Sequence, residues 1–171
     1  MKTKGSLAYK GVLLALCLIF SYVEILIPVP VPVPGFKLGL SNLVILFILY
    51  TFDAPTAFVV GLLKSFVIFL LFGNLYGLIL SLAGFLFSFG IMVFLYGIGC
   101  FSVVGISASG GIFHNLGQLT AVCFLTKRLS VFGLMPVLSL LGLVTGLIIG
   151  FVSLIIIERF KGNDRFCKGD P

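Results

Sequence analysis

Seven side chains in this sequence carry charge or hydrogen-bonding capacity in places where both are expensive. Glu24, Asn42, Lys64, His114, Asn115 and Gln118 interrupt apolar runs, and Lys37 stands at the edge of one. A charged group at the centre of a bilayer costs about 2.5 to 3.5 kcal/mol on insertion scales, so each needs a partner or a ligand. His114 and Gln118 are four apart and Ser107 lies seven before His114, which places all three on one helical face. With Lys64 and Lys37 supplying positive charge and aromatic rings supplying apolar walls, the set describes a substrate-binding pocket for an anionic solute. A plainer reading of the same residues makes Glu24 and Lys64 a buried pair, with His114 and the amides satisfying one another and tying helices together.

Other chemistries find little support. The lone histidine has no cysteine or second histidine at ligand spacing, so no metal site is expected. The four cysteines (Cys17, Cys100, Cys123 and Cys167) are scattered, which argues against a disulfide framework. There is no GxSxG elbow, and Asp53 and Asp164 are expected on the opposite side of the membrane from His114, so nucleophilic catalysis is not expected. No GxxxxGK[ST] loop is present to bind a nucleotide. The chain is read as a non-enzyme without a cofactor.

The elements that must position these residues follow from composition. Of 171 residues 60% are apolar and only 9% charged, against about a quarter charged in soluble domains. A mean hydropathy of +1.31 over the whole length requires several membrane helices. Apolar runs divided by Pro, Gly and polar punctuation give an all-α integral membrane bundle of six spans, near 8–28, 38–52, 56–72, 77–96, 103–125 and 133–157, in a single domain. The second and third are short enough that parts of them can merge into a hairpin. The first begins after a basic stretch and runs on to Pro28, too long for a signal-peptide core, and no small-residue cleavage site follows. In the fifth span, 105–114 is so rich in small residues that a broken helix is expected there.

The net charge of +6 serves topology rather than nucleic-acid binding, because no basic stripe with interleaved aromatics occurs. Lys2, Lys4 and Lys10 precede the first span, and Arg159, Lys161, Arg165 and Lys168 follow the last within a basic tail, 158–171. The positive-inside rule then puts both termini in the cytoplasm. Lys127 and Arg128 face outward against the rule, a single pair that can sit among lipid head groups. The segment 28–34, with proline at every second position, forms a stiff outward strap, read either as a linker or as a lid over the pocket. Small residues recur at packing spacing: Gly77, Ser81, Gly84 and Ser88 in the fourth span, Gly142, Gly146 and Gly150 in the sixth, and Gly11 with Ala15 in the first. Most such stripes pack a bundle internally, but one that faces lipid can dock a partner, and the first and sixth are the candidates.

Three stretches carry a family resemblance: GFKLGLSNLVILFILY (35–50), the Lys64 region with FGNLYGLILSLAGFLFSFGIM (72–92), and GISASGGIFHNLGQL (105–119). Together, KLGLxN and HNxGQ in this order resemble the heptaprenyl diphosphate synthase component I family, also called the Gx transporter family, over nearly the whole chain. Where the family pattern places an arginine in the third span, this chain has Lys64, which keeps the charge and loses bidentate anion recognition. In size and layout the family is similar to the substrate-binding (S) subunits of energy-coupling-factor (ECF) transporters. That resemblance implies capture of a small solute from outside, a transmembrane coupling subunit and ATPases as partners, and an isoprenoid or quinone precursor as ligand. The family name implies instead a noncatalytic scaffold for a soluble prenyl diphosphate synthase subunit. Prenyl elongation of the usual kind needs magnesium held by clustered aspartates, and the three aspartates here are dispersed.

Overall fold

The computed structural model describes residues 7–26, 37 and 39–161. These form helices α1 (Leu7–Leu26), α2 (Asn42–Thr51), α3 (Ala54–Phe72), α4 (Leu75–Ile98), α5 (Val103–Thr126) and α6 (Met135–Lys161), with a 3-10 turn at Leu129–Leu134 before α6. No strand occurs among the described residues. Local sequence explains most of the boundaries. Asp53 caps α3 by accepting from Thr56 N at 2.7 Å, with Pro55 in the first turn where its missing N–H costs nothing. Gly73 and Gly99 take the left-handed conformation that ends α3 and α4. Asn74 and Ser102 then cap α4 and α5, accepting from Gly77 N and Gly105 N.

The six expected spans meet six helices of unequal length. Among the described residues, four stretches are long and apolar enough to cross a membrane: Ala8–Leu26, Ala54–Phe72, Leu75–Ile98 and Leu129–Phe160. Helix α2 starts at Asn42 rather than near 38 and has ten residues, a rise of about 15 Å against a hydrocarbon core of about 30 Å. It is apolar all round because it is enclosed: seven of its ten residues, Asn42 and Val44 to Leu49, are buried. Around it lies the main core, with Leu13 and Cys17 of α1, Val60 of α3, Phe85 and Met92 of α4, Ile106 of α5 and Ile157 of α6. Helix α5 has the length to cross, but its serines, His114, Asn115 and Gln118 dilute its hydropathy, and it lies shielded between α4 and α6. The expected break in α5 is also corrected: Val103 to Thr126 is one continuous helix.

Glycine sets the approach of these helices. A Cβ on Gly111 would lie 2.1 Å from the Gly142 carbonyl oxygen, and Cβ atoms on Gly146 and Gly150 would lie 2.8 Å from Ala108 Cα and Val104 Cα. The stripe Gly142, Gly146 and Gly150 is therefore occupied by the α5 backbone, and its expected role in docking a partner is withdrawn. On the other flank of α5, a Cβ on Gly117 would meet the Ala83 carbonyl oxygen at 2.5 Å. Gly11 has nothing within 4 Å of such a Cβ, and Ala15 is exposed, so the α1 pair alone of the proposed docking residues faces outward.

Candidate functional site

The α2–α3 hairpin turns at Asp53. Ser41 lies twelve residues before that turn and Lys64 eleven after, so the short α2 begins at the depth of the Lys64 side chain, halfway along α3. Lys64 Nζ donates to Ser41 Oγ there. The turn leading into α2 closes through Asn42 N to Gly39 O at 2.8 Å and Leu43 N to Leu40 O at 3.1 Å, with Gly39 at φ 84°. Nearly every residue of this turn is held by a different helix. Leu40 N donates to Glu24 Oε1 of α1 at 2.6 Å, and Asn42 Nδ2 donates to Ser88 Oγ of α4 at 3.2 Å. From α1, Cys17 Sγ reaches the Ser41 carbonyl at 3.7 Å. Gly39 packs against His114 of α5, where a Cβ would lie 3.4 Å from the ring.

Helix α5 completes the cluster. Lys37 N donates to Gln118 Oε1 at 3.3 Å, which turns the Gln118 amide nitrogen toward His114 Nε2 at 3.1 Å. His114 thus accepts at Nε2, as a neutral imidazole carrying its proton on Nδ1 does, and the Nδ1 edge lies against Gly84. Glu24, Asn42, Lys64, His114 and Gln118 are each 5% exposed or less. One cation and one anion, Lys64 and Glu24, share this enclosure, their charges acting on each other through the turn that both of them grip, and the Lys37 ammonium acts on both from its edge. Lys37 is half-buried on the loop outside the helices. Its ammonium is pushed below the ordinary lysine range, first by burial and then by Lys64, with Glu24 opposing.

The structure thus brings together six of the seven residues expected at the site and separates the seventh. Asn115, next to His114 in sequence, points about 100° away around α5 and donates through Nδ2 to the Leu138 carbonyl of α6 at 2.6 Å. It joins helices and leaves the cluster. Ser41, Ser88 and Cys17 are members that sequence reasoning missed, because a hydroxyl or thiol in an apolar run costs little, and the spacing that singled out Ser88 spoke only of helix packing. Unpartnered buried polar atoms remain among the described residues at Asn42 Oδ1, His114 Nδ1, Asn115 Oδ1 and Ser153 Oγ. The proline segment 28–34 and the tail beyond residue 161 lie outside the described residues. Away from the cluster, an open apolar groove of about 420 Å³ runs between α1 and α3, lined by Lys10, Gly11, Leu14, Pro55, Val59 and Leu63 among others.

Among the described residues no group of three or more His, Cys, Asp or Glu side chains is placed to hold a metal ion. Helices of membrane-crossing length around a buried polar cluster define a membrane-type helical protein with an internal hydrophilic centre. Residues 13–156 match the family model described as heptaprenyl diphosphate synthase component I, and the chain belongs to that family. No curated protein and no solved structure matches it.

Proposed function

We propose that this protein is a membrane-embedded substrate-binding subunit, resembling those of ECF transporters, that captures a small anionic, partly apolar solute from the external side. The carrying observation is the convergence of Glu24, Lys64 and His114 on the single turn Gly39–Asn42, where α1, α3, α4 and α5 meet, with Lys37 N and Gln118 bonded to each other beside His114. A half-length helix starting in the middle of a bundle, beside a lysine, is the kind of arrangement that membrane carriers use to present polar groups to a solute. The scheme places both termini in the cytoplasm of a bacterial plasma membrane and requires energy from outside the chain, supplied by a transmembrane coupling subunit and its ATPases. Gly11 and Ala15, exposed on α1, are the surface left for docking it.

The family match favours a second reading, in which the chain is a noncatalytic membrane component holding a soluble prenyl diphosphate synthase subunit. Native mass spectrometry of the protein in nanodiscs, with candidate metabolites, separates the two. The carrier reading expects a retained small molecule that is lost in Lys64→Ala and His114→Ala while both variants remain folded. Binding of the synthase subunit, with no solute retained and both variants merely less stable, would overturn it.

A further inference from the structure

The charge and hydrogen-bond balance of the cluster constrains what it accepts. Lys37 and Lys64 against Glu24 leave one positive charge in excess, since His114 accepts from Gln118 as a neutral ring. One negative charge cancels that excess; a diphosphate, bringing two or three, would replace it with a larger excess of the opposite sign in a region that disfavours any uncompensated charge. No metal-holding group is present among the described residues to offset the difference. The hydrogen-bond count adds a second condition. Asn42 follows Ser41, on which Lys64 is fixed, and with its Nδ2 committed to Ser88 its Oδ1 is left as a buried acceptor with no donor. An unpaired buried acceptor is costly, and a solute bringing an N–H or O–H relieves it.

We infer that the site takes a monoanion that also carries a hydrogen-bond donor, such as a hydroxylated monocarboxylic acid, and rejects prenyl diphosphates. The inference rests on the solute-binding reading and narrows it. Lys37 and Lys64 hold the carboxylate, and Asn42 Oδ1 accepts from the hydroxyl.

The test is a titration of the full chain in nanodiscs, followed by thermal shift, with para-hydroxybenzoate against benzoate, lactate against propionate, and geranyl diphosphate with inorganic pyrophosphate. In at least one matched pair the hydroxylated acid binds about tenfold tighter or more than its deoxy partner, because a site built around an unpaired polar group discriminates strongly against a ligand that leaves it unpaired. Both diphosphates fail to bind. In Asn42→Ala that preference falls toward equality, while in Lys37→Gln both members of the pair weaken together. Should Asn42→Ala fail to fold, the wild-type ratios and Lys37→Gln still decide. Equal affinity within the pairs, or a preference for a diphosphate, overturns this inference and leaves the carrier reading standing. Binding of no member of the panel overturns both.

Discussion

Lys64 and Glu24 come from different helices and carry opposite charges, yet each is anchored to the same short turn, Lys64 at Ser41 and Glu24 at Leu40. Removing one partner strands the other in an apolar enclosure, and for buried pairs that costs about 3 to 5 kcal/mol. Lys64→Met is therefore expected to lower stability by this order in chemical denaturation, and adding Glu24→Gln is expected to recover part of the loss. A double variant no more stable than Lys64→Met would show that the two charges are uncoupled. Lys37 makes a pH prediction. Its folded-state pKa lies below its unfolded value, so the folded protein binds fewer protons, and stability without ligand rises with pH from the lowered value up to about the ordinary 10.5. Lys37→Gln is expected to flatten that rise in melting temperature, and a bound anion, favouring the ammonium, to reverse its sense by drawing a proton onto the site. Glu24, Lys64, His114 and Gln118 were legible in the sequence because ionisable and amide groups within apolar runs are costly enough to stand out. Ser41 and Ser88 were not, and Asn115 was misplaced because neighbours in sequence diverge around a helix.

Gly142 and Gly11 separate two uses of small residues on helices. At Gly142 an added Cβ would lie 2.6 Å from the Gly111 carbonyl oxygen and 2.8 Å from Asn115 Nδ2, both held firmly within the α5–α6 contact. Gly142→Ala is thus expected to destabilise the protein by about 1 to 3 kcal/mol through overpacking. Gly11→Ala meets no atom within 4 Å and is expected to leave stability unchanged, gaining a little helix propensity. Melting temperatures in one detergent compare the two directly; equal losses would contradict the difference in packing. Spacing of four along α6 revealed a flat face but carried no information on whether the neighbour is lipid, a partner or α5, which is why the docking role for Gly142, Gly146 and Gly150 failed. The extent of α2 was obscured for a related reason. Residues 38–52 are apolar throughout, and nothing in that pattern distinguishes a helix spanning the bilayer from a ten-residue one enclosed by protein. By contrast, the gaps read between 52 and 56 and between 72 and 77 fall where the structure ends one helix and begins the next, at Asp53 and at Gly73.

For the whole molecule, hydropathy alone established the helical, membrane-type class, since 60% apolar composition leaves no soluble core to build. Orientation rests on charge: Lys2, Lys4, Lys10, Arg159, Lys161, Arg165 and Lys168 flank the two ends, against Lys127 and Arg128 between α5 and α6. If residues 39–51, a turn and then a helix, complete one passage in place of a full-length second helix, the chain still crosses six times and the connections alternate sides. The α4–α5 connection, where Cys100 is exposed, then lies with the termini inside, while position 127 lies outside, on the same side as the end of α1 that carries Glu24. Labelling intact cells with a membrane-impermeant maleimide reads this arrangement. A chain keeping Cys100 as its only cysteine is expected to stay unlabelled until the membrane is permeabilised, and Lys127→Cys in a cysteine-free background to label at once. The reversed pattern would put the α1 end bearing Glu24 toward the cytoplasm, and with it the approach to the polar cluster, so capture from the exterior would fail even if the cluster itself bound its solute. Labelling of both positions in intact cells would instead mean an even number of crossings between them, the result required if α5 does not pass through the bilayer.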